Sequence, residues 1–335
     1  MRKLLSSHTI GPLSALVLVT VVVALTTNRF LDAGNVSNLI LQVSIVAIVA
    51  IGSTIVIISG GIDLSPGSAI ALMTMIFAMA VKFWGVPLGV AMVAIVAIGS
   101  LLGAVNGLLT AYFRIPSFIT TLAALSAFRG LAFMFNNGSP VFSVHPQLES
   151  IFYGTVFGIP LPLFYVVGLY ALFFFVLRYT RFGRSLYAVG GNPSAAALSG
   201  LHVARIRFLA FVIAGAMAGI GAVLMSARLN SGSPNYGVGL ELSAIAAAVI
   251  GGASLAGGRG AVVDTLIGAL TIVIVQNALN LNAVPASAQN VIIGAIIVIA
   301  VGLDMWRAEI GRFLSRIARA PGAAGREHRQ RRETP

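Results

Sequence analysis

Few side chains in this sequence carry reactive chemistry, and those standing inside apolar runs are mostly uncharged. Gln42, Thr54, Asn106, Thr110, Thr120, Thr121, Gln276, Asn277 and Asn280 are of this kind, with Arg129 as the one cation set mid-run. Amides and hydroxyls both donate and accept hydrogen bonds, so the set suits the hydroxyls of an uncharged polar solute. It suits an ion poorly, for want of a carboxylate ring or carbonyl filter. It offers no proton relay either, since Asp, Glu and His are scarce at depth. Cysteine is absent and the four histidines are scattered, so neither a thiol nucleophile nor a metal site is expected. Lys3 and Lys82 are the only lysines and neither follows a glycine-rich loop, which excludes the phosphate cradle of a nucleotide hydrolase. No paired carboxylates or nucleophile–base arrangement suggest an enzyme of another kind, and no cofactor is expected.

The elements that must position these groups follow from composition. Of 335 residues, 58% are hydrophobic and 9% charged, against about 25% charged in soluble domains. So few charges cannot cover the surface of a soluble fold this large. Ten apolar stretches are long enough, or nearly so, to cross about 30 Å of hydrocarbon: 11–27, 36–59, 65–81, 86–112, 117–135, 161–178, 207–226, 240–256, 261–280 and 289–304. The stretches at 65–81, 240–256 and 289–304 are short and flanked by glycine or proline, so broken, tilted or re-entrant segments are expected there. Arg2 and Lys3 precede an apolar core as in a signal peptide, but no small-residue cleavage pattern follows, and the segment reads as an anchor. The fold expected is all-α, a polytopic helical bundle in lipid.

Charge orients it. With the N-terminus in the cytoplasm, cytoplasmic segments hold 17 of the 21 basic residues and outer segments hold 3 (Arg29, Lys82, Arg228), Arg129 lying within a span. Basic residues gather on the cytoplasmic side of membrane proteins, so both termini are expected there. The chain then divides into residues 1–10, a membrane domain over 11–304 and a tail over 305–335. Trp306, Ile310, Phe313, Leu314 and Ile317 make an apolar face in that tail, with arginines elsewhere, as in a helix lying on anionic lipid. The basic residues are those that orientation requires, and no nucleic-acid recognition motif accompanies them.

Gly99, Gly103 and Gly107 recur at every fourth position, as do Gly215 and Gly219, and such rows let helix backbones approach closely. The cytoplasmic loop 179–206 contains Gly190-Gly191-Asn192-Pro193-Ser194-Ala195-Ala196-Ala197-Leu198-Ser199-Gly200. Asn192 suits an N-cap, Pro193 the first helical position and Gly200 a left-handed stop, so a two-turn helix with a small-residue surface is expected. A helix this short needs a packing partner. It reads either as a connector or as a knob seated in a cleft of a cytoplasmic protein. The outer loop 136–160 carries no lysine or arginine and reads as a binding surface or a structured turn. Gly60-Gly61-x-x-Leu64-x-x-Gly67 recurs as Gly251-Gly252-x-x-Leu255-x-x-Gly258, an internal echo of the sort same-direction repeats leave. Ser65-Pro66 reads as N-cap and first-turn proline, Asp63 as a carboxylate favoured near that helix start, and Asp264 as another helix-start carboxylate.

Together these motifs resemble the ribose/xylose/arabinose-type permeases of bacterial ATP-binding-cassette sugar importers. The similar stretches are Gly60–Ser65, Arg129-Gly130, Asn137–Val141, Gly190–Asn192, Leu198–Gly200, Glu241–Ala247, Gly251-Gly252, Ser254–Gly258, Thr265–Leu270 and Asn277–Leu281. The likeness spans about 36–304. It implies a multi-pass protein of the bacterial inner membrane that translocates a monosaccharide. It further implies a second permease subunit, a cytoplasmic ATPase and an extracytoplasmic sugar-binding protein. The family's coupling segment maps onto Gly190, Gly191, Asn192, Leu198, Ser199 and Gly200, and Ala195 and Ala196 between them complete the expected ATPase-coupling set. Pathway candidates are Asn106, Thr120, Arg129, Asn137, Gln276, Asn277 and Asn280, with Gly60, Gly61, Asp63 and Ser65 as a helix-start motif. Pro66 and Asp264 depart from the family, which has a small aliphatic residue and glycine there. The competing reading is a secondary transporter of a small polar solute driven by an ion gradient.

Overall fold

A computed structural model describes residues 9–319, the side chains of 303–319 excepted. The apolar face at 306–317, the basic residues beyond 319 and Arg2 and Lys3 therefore lie outside the described side chains. In chain order the elements are α1 (Ile10–Thr26), α2 (Ala33–Ile58), α3 (Pro66–Lys82), α4 (Leu88–Ala111), α5 (Ser117–Met134), a 3-10 turn (Phe135–Gly138), β1 (Val141–Phe142), α6 (Leu148–Tyr153), β2 (Thr155–Val156) and β3 (Ile159–Pro160). There follow α7 (Leu161–Tyr179), α8 (Arg181–Gly191), α9 (Pro193–Leu198), α10 (Val203–Leu229), β4 (Ser231–Gly232), α11 (Leu240–Ile250), α12 (Val262–Leu281) and α13 (Ala286–Arg319). Each of the ten apolar stretches is helical. Six of the described helices, α2, α4, α5, α7, α10 and α12, are long and apolar enough to cross a membrane by themselves.

Helix α2 is apolar all round, and such a helix must be surrounded. Residues 43–59 are buried without interruption, enclosed by α7, α8, α10, α11 and α12. Tyr170 on α7 fastens the packing by donating to the Ala47 carbonyl at 2.9 Å. Around this centre α4, α5 and α7 turn large apolar residues outward: Val93, Leu101, Ile119 and Phe175 are all more than half exposed. Hydrocarbon, unlike water, imposes no cost on such a surface.

The two glycine rows meet. α4 and α10 form the most extensive pairing in the fold. A Cβ at Gly99 would overlap the Gly215 carbonyl, one at Gly103 the Phe211 carbonyl, and one at Gly107 would lie 2.9 Å from the Phe208 carbonyl. The backbones therefore touch along the whole crossing. Gly52 extends the contact, since its Cβ would come 2.8 Å from the Ala214 Cα.

α10 runs from the end of the bundle that carries α9 (the α9 end) to the end that carries α6 (the α6 end). At the α6 end, β1 pairs antiparallel with β4, Val141 opposite Gly232, and α6 buries Leu148 and Phe152. The 136–160 loop is thus a structured cap.

One segment departs from simple spans. After β4 the chain descends beside α3: Ser233 N donates to Thr74 Oγ1 at 3.4 Å, and Gly237 lies backbone to backbone against Gly67. Seven helical residues separate Thr74 from Gly67, a descent of about 10 Å at 1.5 Å per residue. α11 begins at that depth, and its 11 residues extend only about 16 Å. Re-entrant chain and a half-length helix together stand here in place of one long helix, as the short apolar stretch suggested. Non-helical backbone at such depth requires internal hydrogen bonds. Arg129 on α5 provides two, donating through Nη1 to the carbonyls of Pro234 and Tyr236 at 2.5 and 2.9 Å. Ser231 Oγ and the Tyr236 hydroxyl close the turn at 2.6 Å.

Candidate coupling and translocation site

The segment 179–206 contains two helices where the sequence suggested one. α8 is capped by Thr180, whose Oγ1 accepts from Gly183 N at 3.2 Å. It buries Gly183, Leu186, Val189 and Gly190. Their three- and four-residue spacing is the signal that would have revealed it. α8 lies outside the apolar spans, and burial, with Asp264 nearby, pushes the Tyr187 phenol above its ordinary range despite Arg178. The phenol stays protonated and donates to the Gly260 carbonyl at 2.7 Å.

α9 forms as its caps dictate. Asn192 Oδ1 accepts from Ala195 N at 3.0 Å, and Pro193 takes the first helical position. Gly200 at φ +81° ends the helix, its N–H bonding the Ala197 carbonyl while Leu201 N bonds that of Ala196. The surface is not uniform. Ala196 is buried against the bundle, whereas Ala195, Ser199 and Gly200 are exposed and Leu198 is 92% exposed. An exposed leucine on a two-turn helix is a knob without a hole.

Three glycine pairs converge where α8 meets α9. α2 ends in a left-handed turn at Gly60 (φ +82°) and α11 in one at Gly252 (φ +87°), with matching bonds Gly61 N to Val56 O and Ala253 N to Ala248 O. The internal echo is therefore real in backbone conformation but displaced by one residue, Gly60 corresponding to Gly252 rather than Gly251. Chain register sets the sequence match, whereas the helix stop is set by which residue adopts positive φ. Against the first of these turns sits Gly190. Its Cβ would overlap the Ile58 carbonyl and come within 2.7 Å of Gly258 N. Gly257 faces the Gly190 carbonyl, Gly258 faces Gly191, and Gly258 N donates to Ile58 O at 2.9 Å. Any displacement of α8 must pass directly to the end of α2 and to the loop between α11 and α12.

Beside this junction a cavity of about 870 Å³ opens among Gly60, Thr110, Ser117, Pro193, Ala197 and Arg207. α9 thus forms part of its wall. Arg207 Nε reaches the Ser59 carbonyl at 3.4 Å, and Ile62 N donates to Ser117 Oγ at 3.0 Å. Deeper in, Asn106 Nδ2 donates to Ser65 Oγ at 2.9 Å, and Ser65 Oγ to Asp63 Oδ1 at 2.7 Å. Asp63 Oδ1 also accepts from Ser65 N. Ser65 holds the N-cap position with Pro66 after it, but its side chain makes no capping bond. The expected cap is instead a buried relay held by Asp63. The side-chain oxygens of Asn106, Thr110 and Thr120 retain buried capacity without a partner.

The other sequence candidates are dispersed. Asn277 forms a reciprocal amide pair with Asn35 on α2 (2.9 and 2.8 Å). Asn280 Oδ1 accepts from Gln289 at 2.9 Å. Asn137 is exposed in a left-handed turn at the α6 end (φ +50°), and Arg129 is engaged by the re-entrant carbonyls. Asp264 stands in the first turn of α12. Among the described residues no group of three or more His, Asp or Glu side chains is placed to hold a metal ion.

Residues 35–301 match the family described as branched-chain amino acid transport system / permease component. The chain belongs to this family. The permease is 39% identical over 297 residues to the ribose import permease protein of Bacillus subtilis, covering 88% of this chain and 92% of that one. It is 38% identical to the ribose import permease protein of Escherichia coli K12 (87% and 92% covered). It is also 35% identical to the xylose transport system permease protein of Haemophilus influenzae (83% and 91% covered). No solved structure matches. The permease is a membrane-embedded transport component, as the motifs implied.

Proposed function

We propose that this permease is the membrane-spanning subunit of an ATP-driven importer that carries a monosaccharide across the bacterial inner membrane. Ten crossings with both termini cytoplasmic account for the charge asymmetry and put α8 and α9 in the cytoplasm. α9 then docks on a separate ATPase, with exposed Leu198 seated in its surface and Ala195 at the contact. Ala196 supports α9 from beneath. A second permease subunit completes the translocation unit, an extracytoplasmic sugar-binding protein delivers cargo at the α6 end, and the tail lies on anionic lipid.

The observation that carries this reading is the backbone contact of Gly190 with the end of α2 and with Gly257-Gly258 in the loop between α11 and α12. It supplies a direct mechanical link between a cytoplasmic knob and the cavity wall. Movement imposed on α9 by ATP binding in the partner would open and close the 870 Å³ cavity, where Thr110 and Ser117 offer hydroxyls to cargo.

Uptake of labelled ribose, xylose and allose into proteoliposomes holding the permease, its ATPase and its binding protein tests the proposal. ATP-dependent uptake of at least one sugar is expected. Uptake driven only by a proton or sodium gradient would reject it in favour of secondary transport. Ala195→Glu should abolish uptake while leaving the permease folded, because the site is exposed; unchanged uptake would remove the docking role.

A further inference from the structure

A second cavity, of about 500 Å³, lies toward the α6 end between α2, α11, α12 and α13, and the coupling mechanism leaves it without a role. Its size falls within the roughly 300–1,000 Å³ of small-molecule sites. The re-entrant segment forms one wall through the backbone of 237–240, and Gln42, Glu241, Ser243, Gln276 and Asn290 supply polar side chains. Resting on the reading of the chain as a sugar permease, we infer that this cavity is the resting site of a neutral polyhydroxylated solute, held by Gln42 and Gln276.

Four observations lead there. The first is unused bonding capacity. Gln276 Nε2 donates to Ser243 Oγ at 3.1 Å, which leaves its second N–H and its carbonyl available. Gln42 makes no side-chain hydrogen bond within the protein, although it is half-buried on an otherwise fully enclosed stretch of helix. Both side chains line the cavity and are half-buried, so their free groups are available to whatever occupies it. The second is a fixed wall: Glu241 lines the cavity while its Oε2 is buried away from it. It lies against Gly67 in the first turn of α3, where a Cβ would overlap it. Glycine at 67 makes room for the carboxylate, and the positive end of α3 favours its charge.

The third is charge. Among the described residues that line the cavity, Glu241 and Arg228 are the ionisable ones and are opposite in sign. The site therefore has no net preference for cation or anion. The fourth is mixed lining. Ile45, Val46, Val273 and Ile293 give an apolar surface for the C–H face of a sugar ring, opposite the amides that would take its hydroxyls. Asn277 is adjacent to Gln276 in sequence, yet its pairing with Asn35 removes it from this set.

The absence of cysteine provides a test whose blank is the natural protein. Gln276→Cys in the assembled transporter should be alkylated by a water-soluble thiol reagent. Saturating ribose, xylose or allose, whichever the natural protein imports, should slow alkylation at least tenfold. In whole-cell uptake with ATPase and binding protein co-expressed, Gln42→Ala and Gln276→Ala should each reduce maximal uptake at least tenfold at normal membrane abundance. Gln276→Asn should retain more uptake than Gln276→Ala. Alkylation of the Gln276→Cys variant at the same rate with and without sugar, together with unaltered uptake in both alanine variants, overturns the inference, while ATP-driven uptake by the natural protein leaves the permease reading intact. If the natural protein imports none of the three sugars, reading and inference fall together. Should Gln42→Ala not reach the membrane, Gln42→Glu, which keeps size and polarity, replaces it; uptake unchanged in that variant and in Gln276→Ala counts against the site.

Discussion

The junction at the α9 end and the vestibule at the α6 end are built from opposite materials. At the junction, Gly60, Gly190, Gly191, Gly257 and Gly258 bring backbone against backbone, and almost no side chain intervenes. In the vestibule, the region of the re-entrant segment and the second cavity, side chains reach across: Arg129 and Thr74 to the irregular chain, and Asn35 on α2 to Asn277 on α12. Contacts between backbones cannot adjust by changing rotamer, so they transmit displacement without loss. Side-chain tethers can lengthen, rotate and exchange partners, which suits a region that must admit and release solute. The lesson is that size should break the first region and polarity the second.

The largest effect is expected from Gly190→Val, whose side chain has no space beside Ile58 O and Gly258 N. Overpacking typically costs about 1–3 kcal/mol, and backbone neighbours cannot yield, so the yield of monodisperse protein in detergent should fall roughly tenfold or more. Normal yield would show that α8 is not held as described. Next comes Arg129→Met, which preserves bulk but removes both bonds to the re-entrant carbonyls. Bonds from a charged donor are worth about 1.5–3 kcal/mol each, and a clear fall in thermal unfolding temperature should register the loss. An unchanged temperature would mean that the segment holds itself. Asn277→Ala should cost less, about 1 kcal/mol. In a double-mutant cycle with Asn35→Ala the second substitution should add little; full additivity would deny the pairing. The smallest effect belongs to Gly191→Ala, where a Cβ meets nothing within 4 Å, and unfolding should shift by no more than about 0.5 kcal/mol. Its contrast with Gly190→Val is the most discriminating comparison, since the positions are adjacent.

Much of this was legible in the sequence for physical reasons. Lipid forces backbone bonding into helices, so ten apolar stretches become helical. Rows of glycine at every fourth position meet because they are the faces that can approach. Asn192, Pro193 and Gly200 bound α9 because capping and positive φ are local properties. What could not be read is what depends on distant partners. Ala195 and Ala196 look alike in sequence, yet one is exposed and the other buried. Asn277 has the chemistry of a solute ligand but is occupied by a residue 242 positions away. Glu241 gives no signal of its own, because a carboxylate at the start of an apolar helix looks ordinary until Gly67 is seen beside it. The α6 cap, with its two short antiparallel pairings, left only its turn residues as a trace.

The two-rung ladder between β1 and β4 has a mechanical consequence. It fastens the cap, through Val141 and Gly232, to the first residues of the chain that lines the vestibule. Pressure on the cap from a visiting protein is therefore delivered to the cavity wall within a few residues, like a doorbell wired straight to the latch.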